Sequence, residues 1–379
     1  EGQTITDWKG DQVQMRAYDN IGNYYNGGIS QNYSLSFQQQ TSESTSVYTS
    51  LNYLDDDSNI PGTSYKRFNL TTRAVSNFGP DNKWTTDMKV QYINSKANNR
   101  PLNGSNVNNA YSTVATLPRS LDIREFQNST DEFGKSIWYL SSNSVNPYWA
   151  AQYNLSEDRR DRYLLNGSLK YKITDWISAE VNGGADMYTN NQESKLYGGS
   201  PLTNTGRYSL GKDTFIEENY SMLVTGSKSN ILGDFGISFT AGGNLMKQRR
   251  EGLSANAGEL EVPDLFSINN GINSPSVGQS FSQRKINSVF GSFGVDYHGI
   301  VFVDVTGRND WTSTLSPENQ SFFYPSINTS FVFSELFNTR PDWWSFGKIR
   351  ASYAEVGNDL DPYQLINTFS IGHDVNDNT

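Results

Sequence analysis

Chemistry in this chain has few residues to start from. Histidine occurs only at His298 and His373, and cysteine not at all. His298 lies in Asp296-Tyr297-His298-Gly299, a tight-turn composition, so its imidazole reads as a turn residue and not as a general base. The lack of cysteine excludes disulfides, thiolate metal sites and thiol nucleophiles. No Gly-x-Ser-x-Gly elbow, phosphate-cradling Gly-Lys-Ser/Thr loop or His-Glu-x-x-His helix occurs, and enzyme chemistry has no nucleophile, base or metal cluster to stand on. Asp55, Asp57 and Asn59 have the spacing that opens an EF-hand loop, but Ile60 stands where a Gly is needed and Lys66 where a bidentate Glu is required. A loop Ca²⁺ has nothing else behind it, and no cofactor is expected. The mixed-sign run 157–162 reads as a hydrated, self-paired loop base.

Binding is better provided for. The long polar stretch 95–161 carries Phe126, Phe133, Trp138, Tyr139, Tyr148, Trp149 and Tyr153, rings suited to stacking on sugar faces or holding peptide side chains. Trp138, Tyr148 and Trp149 are the candidate substrate contacts. The competing reading is that they pack this stretch on itself or against a lid.

The elements that must position these rings are strands. Ile177, Ala179, Val181, Gly183, Ala185 and Met187 alternate with Ser178, Glu180, Asn182, Gly184, Asp186 and Tyr188, the signature of a two-faced ribbon. Leu165, Gly167, Leu169, Tyr171 and Ile173 alternate likewise with Asn166, Ser168, Lys170 and Lys172. Twelve such strands are expected near 31–41, 45–54, 65–77, 83–94, 162–173, 176–188, 219–230, 235–247, 286–297, 300–309, 322–334 and 346–356. Their joints alternate between short turns and long Asn/Ser/Gly-rich loops, the long ones being 95–161, 189–218, 248–285 and 309–321. Short turns on one side and long loops on the other are the habit of an outer-membrane barrel. The short joints lead into Trp84, Trp176, Phe235 and the pair Trp343 and Trp344, which read as an interfacial aromatic girdle. Residues 1–31 are an unassigned lead-in, and 32–379 the barrel.

Composition agrees. Only 35% of the 379 residues are hydrophobic, yet 22 Tyr, 20 Phe and 8 Trp are present. A mean hydropathy of -0.63 with so many rings suits a chain that shows lipid only alternate residues of each strand. No stretch approaches the roughly 18 to 20 apolar residues of a membrane helix. A net charge of -10 argues against a nucleic-acid partner. The chain opens on Glu1 without an initiator Met or signal peptide and closes without a terminal aromatic strand, so both ends read as cut.

The run Gly307-Arg308-Asn309-Asp310-Trp311-Thr312-Ser313-Thr314-Leu315, followed by Phe323-Tyr324-Pro325-Ser326 and Phe333-Ser334-Glu335, resembles the barrel signature of the SusC/RagA-type TonB-dependent transporters of Bacteroidetes. So does Phe346-Gly347-Lys348-Ile349-Arg350-Ala351-Ser352-Tyr353 with Val356-Gly357-Asn358-Asp359. Asn146-Pro147-Tyr148-Trp149, Asp161-Arg162-Tyr163-Leu164-Leu165, and Ile60-Pro61-Gly62 before Tyr65-Lys66-Arg67 are shorter similarities. The resemblance implies an all-β antiparallel transmembrane β-barrel, of which this chain holds about 12 of roughly 22 strands, with the plug domain and TonB box not in this chain. It further implies outer-membrane TonB-dependent import of oligosaccharides or peptides, TonB acting through the plug, and a SusD-like surface lipoprotein as partner. Two alternatives are a non-transporting structural or assembly component built on the same barrel, and a soluble all-β carbohydrate-binding module or enzyme.

Overall fold

Alternation along the chain becomes pairing between strands in the computed structural model, which describes residues 2–102, 104, 106–140, 144–231, 233–337, 339, 341 and 343–367. A small hairpin of β1 (Thr4–Thr6) and β2 (Gln12–Gln14) and a short helix α1 (Asn20–Tyr24) come first. The main sheet then runs as a meander: β3 (Ile29–Ser42), β4 (Thr45–Asp57), β5 (Ser64–Phe78) and β6 (Trp84–Asn98). Helices α2 (Ala110–Thr116) and α3 (Pro147–Tyr153) interrupt it before β7 (Asn154–Lys172), β8 (Ile177–Leu196), β9 (Arg207–Ile231) and β10 (Phe235–Glu259). It ends with β11 (Ser276–Tyr297), β12 (Val301–Thr312), β13 (Ser321–Phe331) and β14 (Ile349–Ala354). All 12 strands pair with their sequence neighbours, antiparallel throughout, and the sheet is open, with β3 and β14 at its edges.

Register sorts the side chains into two faces. One row runs Leu169, Val181, Met222, Gly243, Val289, Asn309, Phe323 across β7 to β13. The next row along the strands, on the opposite face, runs Asp87, Ser168, Asn182, Ser221, Asn244, Ser288, Asp310 across β6 to β12. Cross-strand pairs stitch the polar face: Arg73 donates to both carboxylate oxygens of Asp87 at 2.8 and 2.5 Å, and Arg162 does the same to Asp186. Among the described residues nothing covers the apolar face at its centre: Met222, Leu245, Val289 and Phe293 are all more than half exposed. Buried apolar residues lie mainly beside the long loops and not against the sheet.

Strand order and number agree with the alternation, but strand length does not. The expected loop 189–218 shrinks to 197–206 and the expected loop 248–285 to 260–275, because β8 to β11 continue as paired strands well past the end of the apolar stripe. There both faces are polar, as in Asn190, Asn191, Gln192 and Glu193, so the period-2 signal vanishes while backbone pairing continues. The same effect trims 95–161 to 99–153 and 309–321 to 313–320. The run 157–162 is therefore strand: Glu157 pairs across the sheet with Lys96 at 2.8 Å and Arg162 with Asp186, while Arg159 lies 3.9 Å from Asp161 within the run itself. The lead-in also changes character: β3 already starts at Ile29, and residues 4–25 pack on the longest loop.

His298 and Gly299, with φ of 52° and 65°, form the centre of a two-residue turn closed by Ile300 N donating to Tyr297 O at 2.9 Å. Positive φ at both positions is the type I′ geometry that matches strand twist. The His298 imidazole lies 3.1 Å from an Asp234 carboxylate oxygen, bracing two adjacent turns. His373 lies outside the described residues. A Cβ at Gly299 would meet nothing within 4 Å, so Gly299→Val isolates backbone strain. We expect a loss of about 1–2 kcal/mol, read as a lowered thermal unfolding midpoint of the protein in detergent, with the same folded yield.

Candidate functional site

Above the loop ends of the strands sits a roof built from residues 4–25 and the β6–β7 loop. Its centre is Asn146, which is fully buried. The Asn146 side-chain amide donates to the carbonyls of Phe126 and Ile137 at 2.8 and 2.9 Å, while its oxygen accepts from Tyr148 N at 2.9 Å and caps α3. Pro147 follows at the first helical position, where its missing N–H costs nothing. A second asparagine, Asn20, reaches from α1 to accept from Ile123 N at 3.0 Å. Asp122 turns the chain into the 123–126 turn by accepting from Arg124 N at 3.0 Å. The Arg124 guanidinium also bonds the Asp122 carboxylate and holds it below the usual carboxylate range, against the opposing effect of burial.

The three candidate contact residues are in this roof, but inside it. Trp138 and Tyr148 are 9% exposed and Trp149 is 1% exposed. Trp138 stands edge-on to Phe126 at 4.7 Å between ring centres, Tyr148 meets Tyr24 at 5.1 Å, and Trp149 stacks on Tyr153 at 4.2 Å. A loop of this size must bury apolar area of its own to be ordered, and these rings are its largest. The geometry supports the packing reading for all three. The roof's exposed rings are Tyr111 and Phe133.

Beneath the roof a cleft of about 460 Å³ opens between the 99–111 segment, α3, the β4–β5 loop and the tops of β7 and β8. Asn99 locks its floor: its amide donates to Gly62 O and Ala151 O, and its oxygen accepts from Ser156 N at 2.8 Å. Gly62, at φ 76°, lies so close to α3 that a Cβ would come within 2.7 Å of Ala151 O. The wall combines Pro61, Tyr111 and Leu155 with Asn108, Asn154, Ser156 and Ser194. Asn154 donates to Asn108 at 2.8 Å, which leaves the Asn154 oxygen buried and without a partner. Amides and hydroxyls beside an apolar wall suit an uncharged polar ligand. Asp55, from the calcium-like spacing, instead accepts from Lys66 at 3.0 Å, and among the described residues no three acidic or imidazole groups converge on one point.

Rings gather at the turn ends as well. Trp84 contacts Tyr171 at 4.5 Å and Phe78 at 6.3 Å, Trp176 contacts Phe239, Phe235 contacts Tyr297, and Trp344 lies between Phe333 and Phe337. Trp343 is 85% exposed, and Asp342 before it lies outside the described residues. A second ring group, unnoticed in the sequence, lies farther up the apolar face: Tyr53, Phe68, Tyr92 and Tyr163, with Tyr92 and Tyr163 5.0 Å apart. Its signal was tyrosine recurring at apolar-face parity.

No protein-family model matches the chain. Among curated proteins it is 25% identical over 338 residues to TonB-dependent receptor P26 of Formosa agariphila, covering 85% of this chain and 32% of that protein. TonB-dependent receptor P3 of the same organism is 26% identical over 247 residues, 61% of this chain and 24% of that protein. The chain thus spans a third or less of those relatives. Among solved structures it overlays the RagAB peptide transporter with a TM-score of 0.77 at 16% identity, over 92% of this chain and 39% of the other. The ferripyoverdine receptor of Pseudomonas aeruginosa gives 0.50 at 14% identity over 80% of this chain and 39% of the other. The sheet thus shares the fold of part of the RagAB barrel.

The motifs that carry the SusC/RagA resemblance have structural work to do. Arg308 lies on the polar face, donating to Ser288 at 2.9 Å and to Asp310 at 2.7 Å. Asp359, beyond β14, folds back onto the loop end of β11 and β12, accepting from Thr312 and Thr314 at 2.6 and 2.9 Å and pairing with Arg284. Burial pushes the Asp359 carboxyl up, but the two hydroxyls and the Arg284 charge outweigh it and hold the group below its ordinary range.

Two outcomes are expected. Asn146→Ala leaves two buried carbonyls unpaired and removes the α3 cap, costing the roof about 3 kcal/mol; limited proteolysis should cut within 99–153 while the strands stay intact. Asp359→Asn should lower the unfolding midpoint at pH 7. A depressed carboxylate stabilises the fold above its unfolded pKa of about 4, and that contribution fades as pH falls through the folded value. The gap between wild type and variant should therefore narrow progressively in melts run at falling pH below about 4.

Proposed function

We propose that this chain serves as part of an outer-membrane TonB-dependent importer of large nutrients, oligosaccharides or peptides, working with a SusD-like surface lipoprotein. The observation that carries the reading is the division of faces. An apolar face left uncovered by the described residues is matched to lipid, and a polar face leads up to the roofed cleft. In this reading Trp84, Trp176, Phe235, Trp343 and Trp344 lie at the periplasmic interface and Tyr53, Phe68, Tyr92 and Tyr163 at the outer one. The side chains 235–245 of β10 then cross the bilayer, matching the roughly 9–11 tilted residues a span needs.

The relatives named as receptors and the transporter overlay support transport over catalysis. TonB supplies the energy through a plug, so the barrel wall needs no active site. The soluble alternative has no cover for the apolar face, and the non-transporting one no role for the cleft. Substrate contacts are placed in the cleft, with Trp138, Tyr148 and Trp149 acting through the packing of its roof.

The test uses the intact protein in its own cells, with labelled oligosaccharide and peptide pools. We expect one pool to be taken up only when TonB is present, and the surface lipoprotein to co-purify. Uptake indifferent to TonB, or none from either pool by a correctly inserted barrel, contradicts the proposal. Asn108→Ala with Asn154→Ala should weaken uptake at least tenfold at limiting substrate, while Phe133→Ala should not.

A further inference from the structure

The apolar face changes character abruptly on β9, β10 and β11. Its rows read Val224, Ala241, Gly291, then Met222, Gly243, Val289, then Tyr220, Leu245, Asn287. The next row is Glu218, Lys247, Lys285, and the one above it Ile216, Arg249, Gln283. Lys247 and Lys285 are direct cross-strand partners on the same face, both exposed. Cβ atoms so paired lie about 5 Å apart, and like charges in that position destabilise a sheet. Glu218, opposite Lys247 on β9, offsets the repulsion on that side only, and no described carboxylate pairs with Lys285. Glu218, beside Lys247, is engaged by Tyr220 at 3.3 Å, and Arg249 by Glu251 and the ring of Phe281. Among the described residues neither lysine ammonium has a carboxylate within ion-pairing distance, in a chain whose net charge is -10.

We propose that Lys247 and Lys285, flanked by Arg249, hold the phosphate of an anionic lipid of the outer leaflet. The inference rests on the membrane-spanning reading above. The site lies immediately above the apolar rows, at the depth where headgroup phosphates sit, and cations at that depth attract anionic lipid. A phosphate oxygen between the two ammonium groups turns their repulsion into two charge-assisted hydrogen bonds. A neutral or zwitterionic headgroup leaves the repulsion largely in place. Simple snorkelling of lysine stems to the interface needs no phosphate and shows no such selectivity.

The test is native mass spectrometry of the intact protein, extracted from its membrane and stripped of lipid. It is titrated with a bisphosphorylated disaccharide glycolipid or with the same lipid after phosphatase treatment. We expect wild type to retain the phosphorylated form at concentrations at least tenfold lower. The Lys247→Gln/Lys285→Gln variant should fall to the level of the dephosphorylated lipid, and the Lys66→Gln control, which loses an ammonium paired with Asp55, should not. In lipid-free detergent the double variant should melt at or above wild type, because a repulsive pair has been removed. Equal retention of both lipids by wild type, unchanged retention by the double variant, or a lower melt in lipid-free detergent would overturn the proposal. So would displacement of the glycolipid by low-millimolar inorganic phosphate, which would make this a free-anion site. A protein absent from the membrane fraction fails the transport reading itself; lost lipid selectivity in an inserted barrel fails only this inference.

Discussion

Everything in this structure follows from the backbone having to satisfy its own hydrogen bonds. In hydrocarbon an unpaired N–H or C=O has no water to turn to, and only helices and closed barrels solve the problem. This chain solves it by pairing each of its 12 main strands with the next, leaving two edges, β3 and β14. The edge strand β3 is exposed along its whole length, with Tyr33, Leu35 and Phe37 all more than half exposed. Such an edge in lipid calls for further strands beside it, in keeping with the chain spanning 32% and 24% of the two TonB-dependent receptors it matches.

Once the ladder is fixed, the side chains are free to be different on the two sides. The sheet needs no apolar core, and this explains how a chain with 35% hydrophobic residues folds into strands of up to 25 residues. The larger apolar cluster sits in the roof and is organised by asparagines, and a smaller one of Tyr208, Ala257 and Leu260 lies at the loop end of β9 and β10. Asn146, Asn20 and Asn99 each bond backbone groups of segments far apart in sequence, so backbone groups of loop residues that lack regular structure find side-chain partners.

Alternation made the strands legible wherever one face met lipid and the other met polar groups, as at 177–187. It failed above the bilayer, where Gln248, Arg249, Arg250 and Glu251 are strand although no two-faced pattern marks them. Turn chemistry was legible at His298 and Gly299 because the φ requirement is local. The roof was not: aromatic density pointed to Trp138, Tyr148 and Trp149, but composition cannot distinguish a ring that faces a ligand from one that faces another ring. The cleft depends on Asn99 and Gly62 meeting α3 across long sequence separations, and no local pattern encodes that.

The central claim, that one face of this sheet lies in lipid up to Leu245 and leaves it at Lys247, has a direct measurement. The chain has no native cysteine, so single cysteines replacing Phe239, Gly243, Leu245, Arg249 and Leu253 along β10 can each carry a spin label in the intact protein reconstituted into bilayers. The account predicts collision with oxygen dominating at the first three positions and collision with a water-soluble nickel chelate at the last two. Labels at 239, 243 and 245 that meet the chelate as freely as those at 249 and 253 would contradict it.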